Sequence, residues 1–208
     1  MSTRNFDSLY NVATTIRAFR IVQDRWPDAS LTLVGGGPQE AELRALTGQL
    51  RLRNVTFVGR VRPDGIAEFY AAHDIYIQSP NIDNMPTSVI EAFASGLPVV
   101  STDAGGVPAI LTHGEHGLLA GLADYDTLGH HVLRLLDNPD YARALARAAY
   151  NTTDACTWPA VRDQWLRAYR QATAPHGAAD ADAGRGQIEP AENFHRASPV
   201  SSAAESSR

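Results

Sequence analysis

Lysine is absent from this sequence, and all 18 residues in the combined lysine and arginine count are arginine. Any cationic side chain that contacts a phosphate must therefore be a guanidinium. The formal net charge of −5 argues against a nucleic-acid partner, because such a partner requires a basic face that displaces counterions.

Cysteine, leader sequences and long apolar runs are also scarce. The single cysteine, Cys156, excludes an internal disulfide, and the start of the chain lacks the charged-then-apolar pattern of a signal peptide. No run approaches the ~20 apolar residues that span a bilayer. We therefore expect a cytoplasmic protein whose membrane association, if it has any, is peripheral at the inner membrane face.

The hydrophobic content of 44% with 20% charged residues is typical of a chain that buries a core. Hydrophobic periodicity predicts strands that alternate with helices, which indicates βαβ crossovers and a parallel sheet covered on both faces. The predicted fold class is therefore α/β, a Rossmann-like doubly wound parallel sheet followed by helices. Helices are predicted over 9–26, 39–52, 64–72, 86–95, 107–111, 125–136, 141–150 and 158–172, and strands over 31–34, 55–58, 75–78, 98–101 and 117–120.

The two ends of the chain differ from this pattern. The predicted domain covers residues 1–172, and residues 173–208 are predicted to be a disordered tail, because Ala, Asp, Gly, Pro and Ser dominate there. A doubly wound sheet normally opens on a strand, yet only Ser2 and Thr3 precede the first helix as candidates for one. We therefore expect an upstream strand, and with it a partner domain, to be missing.

Ligands of open α/β sheets bind beyond the carboxyl ends of the strands, so the loops that follow strands are the candidate sites. Gly35, Gly36 and Gly37 follow a strand and precede a helix, where backbone amides could meet a phosphate or nucleotide. Glu40 stands where the dinucleotide fingerprint needs glycine. A turn that serves only tight strand-to-helix geometry is equally compatible with these glycines.

Two further loops carry weaker signals. Gly59, Arg60, Val61 and Arg62 follow the next strand, so an arginine there could bind phosphate, although solvated surface arginines are commoner. The pair Gly105-Gly106 is most simply a turn into a helix.

The stretch DNMPTSVIE, residues 83–91, carries the strongest signal. Pro86 suits the first turn of a helix, and Thr87 and Ser88 place donors in that turn. Asp83 precedes the helix and Glu91 lies in its second turn, so the two carboxylates could hold hydroxyls of one extended ligand. An acid and base pair, or a capping Asp with an unrelated Glu, are the alternatives.

Histidine pairs at 113 and 116 and at 130 and 131 lack cysteine or acidic partners at ligand spacing, so no metal site is predicted.

The order of these motifs resembles the C-terminal, nucleotide-sugar-binding domain of group 1 (family 4) glycosyltransferases of the GT-B fold. The stretch DNMPTSVIEAFASGLPVVSTDAGGVPAI is similar to the E-x7-E signature of that family. The stretches LTLVGGGPQEAELRAL, VTFVGRV, HGEHGLLA and TWPAVRDQWLRAY resemble its flanking strands, turns and closing helix, which runs back toward the N-terminal domain.

The resemblance implies a role for each matching residue. Glu91 would accept hydrogen bonds from the nucleotide ribose, and Asp83 would hold hydroxyls of the donor sugar. Arg4 would contact the diphosphate, together with the backbone amides of Asn84 and Met85 and the helix start at Thr87 and Ser88. Gly59, Arg60 and Val61 would lie beside the base.

Four departures from the family pattern stand out. Tyr10 lies near the position of an expected lysine, so one charged diphosphate contact is lost. Asp83 is one methylene shorter than the usual Glu, and Asn84-Met85-Pro86 replaces glycines, which gives a stiffer loop. The N-terminal, acceptor-binding domain of the family has no counterpart in these residues.

The expected function is the donor-binding half of a retaining glycosyltransferase that moves a sugar from a nucleotide diphosphate sugar to an acceptor hydroxyl. The acceptor, a glycan, lipid or small molecule, would bind through the missing N-terminal domain. Neither a cofactor nor a required metal is expected, because guanidinium and helix amides would stabilise the leaving diphosphate. The alternatives are a non-catalytic nucleotide-sugar-binding module, a truncated inactive fragment, and a nicotinamide-dependent oxidoreductase.

Overall fold

A computed structural model describes residues 1–173 of the chain. Its contacts divide the chain into one unit, Met1–Arg167, and a second unit that begins at Ala168. The described part of the second unit is the end of the last helix, up to Thr173. The helices are α1 (Val12–Arg25), α2 (Glu40–Gln49), α3 (Ile66–Ala71), α4 (Thr87–Ala94), α5 (Val107–Ile110), α6 (Tyr125–Asp137), α7 (Pro139–Thr152) and α8 (Trp158–Thr173), and the strands are β1 (Leu31–Val34), β2 (Val55–Gly59), β3 (Tyr76–Ile77), β4 (Val99–Thr102) and β5 (Leu118–Ala120).

The strands form a parallel sheet whose centre is the start of the chain. β1 pairs with β2, while β3, β4 and β5 pair in that order. Between β1 and β3, Ser2 forms a parallel bridge to Leu33, and Met1 accepts a hydrogen bond from the amide of Ile77. The spatial order β2, β1, Met1–Ser2, β3, β4, β5 is that of doubly wound nucleotide-binding sheets.

Side chains of each strand alternate between two hydrophobic cores, one on each face of the sheet. Leu33, Ile77 and Val100 face the core formed with α1, α2, α6 and α7. Tyr76 and Val99, each one position earlier in its strand, face the core formed with α3, α4 and α5. This alternation is expected for strands that are buried on both faces, and it confirms the predicted fold class.

The predicted elements are all present, with ends that differ by a few residues. β1 has its predicted bounds, whereas α7 begins two residues earlier, at Pro139, because proline suits the first position of a helix. Residue 173, the first residue of the predicted disordered tail, is the last residue of α8. The rest of that predicted tail, residues 174–208, lies outside the described residues. Within 1–173, none of the helices has the length and apolarity of a membrane span.

The packing of α1 on α6 depends on Gly129, where a Cβ atom would lie 2.9 Å from the carbonyl oxygen of Ala18. We predict that Gly129→Ala lowers the free energy of unfolding by about 1–2 kcal/mol, because overpacking outweighs the gain in helix propensity. Gly48→Ala in α2 is the matched control, since a Cβ there would meet nothing within 4 Å. That control should stabilise by about 0.5–1 kcal/mol. Urea denaturation measures both, and equal stabilisation by the two would contradict the close approach.

Candidate functional site

The candidate site lies at the carboxyl edge of the sheet, where five loops meet. The first loop begins at Thr3, after the central pair Met1–Ser2, and leads into α1. The loops at 35–39, 60–62, 78–86 and 103–106 follow β1, β2, β3 and β4. Parallel strands bring these loops to one edge, which is where ligands of such sheets bind.

Arg4 is the buried cation of this edge, with 9% of its side chain exposed. Its Nη2 donates to the carboxylate of Asp83, and its Nη1 donates to the Ser88 hydroxyl at 2.9 Å. The guanidinium carbon lies 4.1 Å from the centre of the Tyr10 ring, in cation–π geometry. Tyr10, which lies near the position of the expected lysine, therefore packs against one side of Arg4. Among the described residues, Nε of Arg4 is a buried nitrogen without a hydrogen-bond partner.

The loop that carries Asp83 is held in place by the glycine pair after β4. Gly106 donates its amide to the carbonyl oxygen of Asp83 at 2.6 Å. A Cβ on Gly105 would overlap the backbone of Asp83, and a Cβ on Gly106 would overlap that of Asn84. The pair predicted to be a simple turn thus also fixes the position of the 83–86 loop.

The amino end of α4 faces this loop without a side-chain cap. Its N-cap is Pro86, which has an extended backbone and no side-chain hydrogen bond to the helix. The interpretation of Asp83 as a capping residue is therefore wrong, because its carboxylate pairs with Arg4 instead. The first amides of a helix have no partner within the helix, so the start at Thr87 and Ser88 is suited to an anion. Asn84 and Met85 are exposed beside it.

Glu91 lies one turn further along α4 and is exposed to solvent. Tyr70 donates its hydroxyl to Oε2 of Glu91 at 2.8 Å and exchanges a second hydrogen bond with Thr3 at 2.9 Å. Burial, and then the neighbouring Tyr76, raises the pKa of Tyr70 well above its usual value. Tyr70 therefore remains a protonated donor that orients the Glu91 carboxylate.

A buried polar network connects the two carboxylates of the 83–91 stretch. Thr3 lies 3.2 Å from the hydroxyl of Tyr76, and Tyr76 donates to Oε1 of Gln78 at 3.3 Å. The same oxygen accepts from Ser88, which in turn accepts from Arg4. Gln78 also donates to Ser101 at 3.1 Å. Arg4, Asp83, Ser88 and Glu91, which were all predicted site residues, are thus brought together through side chains that the sequence had not singled out.

The glycine turn after β1 lies beside the loop that follows Arg4. A Cβ on Gly37 would overlap the backbone of Phe6, and Phe6 donates its amide to Gly36 at 3.2 Å. Glycine is therefore needed at this turn for its close packing against the Phe6 backbone, whether or not the turn binds a ligand. The exposed Arg60 lies across Gly36, where a Cβ would stand 3.4 Å from its Cγ, and Val61 beside it is half-buried. Arg60 and Val61 therefore lie at the rim of the candidate site.

The residues that sequence reasoning missed are Thr3, Tyr70, Tyr76 and Gln78. Tyr76 and Gln78 carried a usable signal, because polar groups inside a short, wholly buried strand segment require partners. Tyr70 carried no comparable signal, since its contact with Glu91 joins residues 21 positions apart on different helices.

A separate cavity of about 370 Å³ lies at the opposite edge, where the strands begin. Its walls are mainly apolar, and Asp28, His73 and Asp74 are its ionisable side chains. This lining offers no arginine to a phosphate and two carboxylates that would repel one. Within residues 1–173, no group of three or more His, Cys, Asp or Glu side chains is placed to hold a metal ion.

The fold and the site together define a Rossmann-type domain with a buried arginine and a free helix start at its ligand-binding edge. The sequence model of the family "Glycosyl transferases group 1" matches residues 2–152. The chain belongs to this glycosyltransferase family, which confirms the resemblance and sets aside the nicotinamide-dependent oxidoreductase.

Curated relatives agree with this assignment. The sulfoquinovosyl transferase SQD2 of Arabidopsis thaliana is 28% identical over 153 residues, which cover 72% of this chain and 29% of that protein. The N-acetyl-alpha-D-glucosaminyl L-malate synthase of Bacillus anthracis is 29% identical, over 70% of this chain and 38% of that protein. The chain thus spans well under half of the length of these two relatives.

Solved structures confirm the GT-B relationship of the fold. The sucrose-phosphate synthase of Thermosynechococcus elongatus matches 82% of this chain and 44% of its own, with a TM-score of 0.73 and 29% identity. The Anabaena protein HepE, in complex with UDP and glucose, matches 83% of this chain and 47% of its own, with a TM-score of 0.72 and 21% identity. The latter similarity concerns the fold alone.

Proposed function

We propose that this chain is the donor-binding domain of a retaining glycosyltransferase that uses a nucleotide diphosphate sugar. The observation that carries the proposal is the buried Arg4 guanidinium beside the uncapped start of α4. A cation and free helix amides at the carboxyl edge of a doubly wound sheet are suited to a diphosphate. The family assignment supports a sugar as the group that the diphosphate carries.

Each predicted site residue has a role in this proposal. Glu91, oriented by Tyr70, accepts hydrogen bonds from the ribose, and Asp83 accepts them from the donor sugar. The diphosphate lies against Arg4, the amides of Asn84 and Met85, and the helix start at Thr87 and Ser88. Gly36, Gly37, Arg60 and Val61 line the side where the base lies.

Catalysis in this proposal comes from positioning and from stabilising the negative charge that develops on the leaving diphosphate. Arg4 and the first amides of α4 carry that stabilisation, so the transfer requires neither a cofactor nor a resident metal. A chelator should therefore leave the transfer rate unchanged, and restoration of lost activity by a divalent cation would contradict this part of the proposal.

The acceptor is proposed to be a hydroxyl of a glycan, lipid or small molecule that an N-terminal acceptor domain presents to the donor site.

We further propose a cytoplasmic protein with peripheral contact at the inner membrane face. The exposed rings of Trp158 and Trp165 lie on α8 with Arg162 and Arg167, and aromatic and cationic side chains suit an anionic lipid surface. Co-sedimentation with anionic and neutral vesicles tests this location.

Calorimetric titration with uridine, guanosine and adenosine diphosphates and with NAD tests donor binding directly. We expect one of the nucleoside diphosphates to bind and NAD to bind far more weakly. Absence of binding by all three diphosphates would contradict the proposal.

A non-catalytic nucleotide-sugar-binding module is the second candidate. Release of sugar from UDP-glucose or GDP-mannose, to water or to an added acceptor, would identify an enzyme. Tight binding without any release, with the matching acceptor domain supplied, would identify the module.

A further inference from the structure

The buried cation of the proposed diphosphate site already has an anionic partner within the protein. Arg4 is its one buried guanidinium within residues 1–173, and the carboxylate of Asp83 already occupies Nη2 of that group. The side chains of this pair are only 9% and 10% exposed. A diphosphate that contacts Arg4 must therefore compete with an anion that the protein itself supplies.

We propose that Asp83 is an internal placeholder for the diphosphate, which the ligand displaces from Arg4 when it binds. This inference rests on the proposed function, because it assigns the order of events in the same site. The incoming phosphate oxygen takes the place of the Asp83 oxygen at Nη2. Only after this exchange is the Asp83 carboxylate available to the hydroxyls of the donor sugar.

The contacts of Arg4 explain why Asp83 is the partner that leaves. The Tyr10 ring covers the guanidinium, and Ser88, which accepts from Nη1, belongs to the first turn of α4. Both contacts fix Arg4 from the protein side and can remain when the ligand is bound. Nε of Arg4 is a buried donor without a protein partner, so a phosphate oxygen could use it together with Nη2 in the two-pronged geometry that guanidinium favours.

The Asp83 side chain is also the one contact whose charge conflicts with the ligand. A carboxylate and a diphosphate that converge on one guanidinium repel each other, and burial weakens the solvent screening between them. Its neighbour Gly106 holds the carbonyl oxygen of Asp83, not its side chain. The carboxylate can therefore swing away from Arg4 without moving the loop backbone.

The test is calorimetric titration of Asp83→Asn with UDP, GDP and inorganic pyrophosphate. The amide keeps the size and a hydrogen-bond acceptor but removes the competing charge, so the dissociation constants for pyrophosphate and for the preferred nucleotide should fall about tenfold. Asp103→Asn is the matched control, because exposed Asp103 lies in the loop after β4 at the same edge. We expect that control to change both constants by less than about twofold.

A nucleotide sugar provides a second readout that a purely structural role of Asp83 would not move. Asp83→Asn should gain less affinity for UDP-glucose or GDP-mannose than for the free diphosphate, because the amide no longer offers a carboxylate to the sugar. An equal gain for sugar-bearing and free diphosphates would contradict the second half of the exchange.

The unsubstituted chain offers a measurement that does not depend on folding of a variant. The side-chain carboxyl carbon resonance of Asp83 should shift on saturation with pyrophosphate, while that of Asp64, which pairs with Arg62 at the surface, should stay in place. An Asp83 resonance that does not move when pyrophosphate saturates the protein would overturn the exchange. If the unsubstituted chain binds none of UDP, GDP and ADP, the proposed function fails with it. If the chain binds one of these nucleotides and Asp83→Asn binds that nucleotide no more tightly, the exchange fails alone.

Discussion

Arg4→Met should abolish measurable binding of nucleoside diphosphates and lower the free energy of unfolding by about 3–5 kcal/mol. Binding is lost because Arg4 is the buried cation of the proposed diphosphate site. Stability is lost because Asp83, 10% exposed, is left as an unpaired buried carboxylate, and breaking a buried ion pair from one side costs roughly that amount. Calorimetry measures the first effect and chemical denaturation the second.

The double variant Arg4→Met with Asp83→Asn separates these two effects. Removal of the orphaned charge should restore most of the lost stability, whereas nucleotide binding should remain absent. Arg62→Met is the matched control, because Arg62 pairs with Asp64 at the surface, where solvent screens the pair and its removal should change stability little. A single Arg4→Met variant that binds nucleoside diphosphate as well as the unsubstituted chain would refute the site.

Glu91→Ala should weaken binding of the preferred nucleoside diphosphate by about 1–3 kcal/mol, or about 5- to 150-fold. The reason is the loss of charge-assisted hydrogen bonds from the ribose hydroxyls. The exposed position of Glu91 predicts little change in stability, so loss of affinity and loss of fold can be told apart. Calorimetry of the folded variant checks the result.

Two further variants test whether the loss of nucleoside diphosphate affinity is caused by the Glu91 carboxylate. Tyr70→Phe removes the hydroxyl that orients the carboxylate and should cause a smaller loss, about two- to fivefold. Glu68→Ala removes an exposed carboxylate from α3, the helix that carries Tyr70, and should leave affinity unchanged. Unchanged affinity in folded Glu91→Ala would refute the ribose assignment.

The alternation of strands and helices was predictable because it follows from the spacing of apolar residues within short stretches of the sequence. Runs such as LTLV are apolar throughout, as expected for strands that both faces of a sheet bury, and β1 has the bounds that this run predicts. The helix start at Thr87 was predictable within one residue from Pro86. Helix ends were less predictable, as the earlier start of α7 illustrates.

The connections inside the site were not predictable in the same way. Arg4 and Asp83 lie 79 positions apart, and their pairing depends on loops that only the finished sheet brings to one edge. The sequence assigned both residues to the ligand, through the resemblance, but contained no pattern that joins them to each other. The exposed position of Arg60, in contrast, agrees with the simple reading of a surface arginine after a strand.

Tyr10, near the position of an expected lysine, was predicted to remove one charged contact with the diphosphate. The structure shows that Tyr10 also packs against Arg4. A lysine near this position would supply a second charge to the diphosphate. The tyrosine ring instead stacks on the guanidinium of Arg4 with 4.1 Å between the guanidinium carbon and the ring centre. Within residues 1–173, Arg4 is therefore the one buried cation of the site, and the Tyr10 ring packs against it.

A crystal structure of the chain with the nucleoside diphosphate that binds most tightly tests the central claim most directly. We predict that the diphosphate contacts Arg4 and the first amides of α4, that the ribose hydroxyls bond to Glu91, and that Asp83 has left Nη2 of Arg4. A nucleotide bound elsewhere, such as in the cavity that contains Asp28 and Asp74, with the pair between Arg4 and Asp83 intact, would contradict the account.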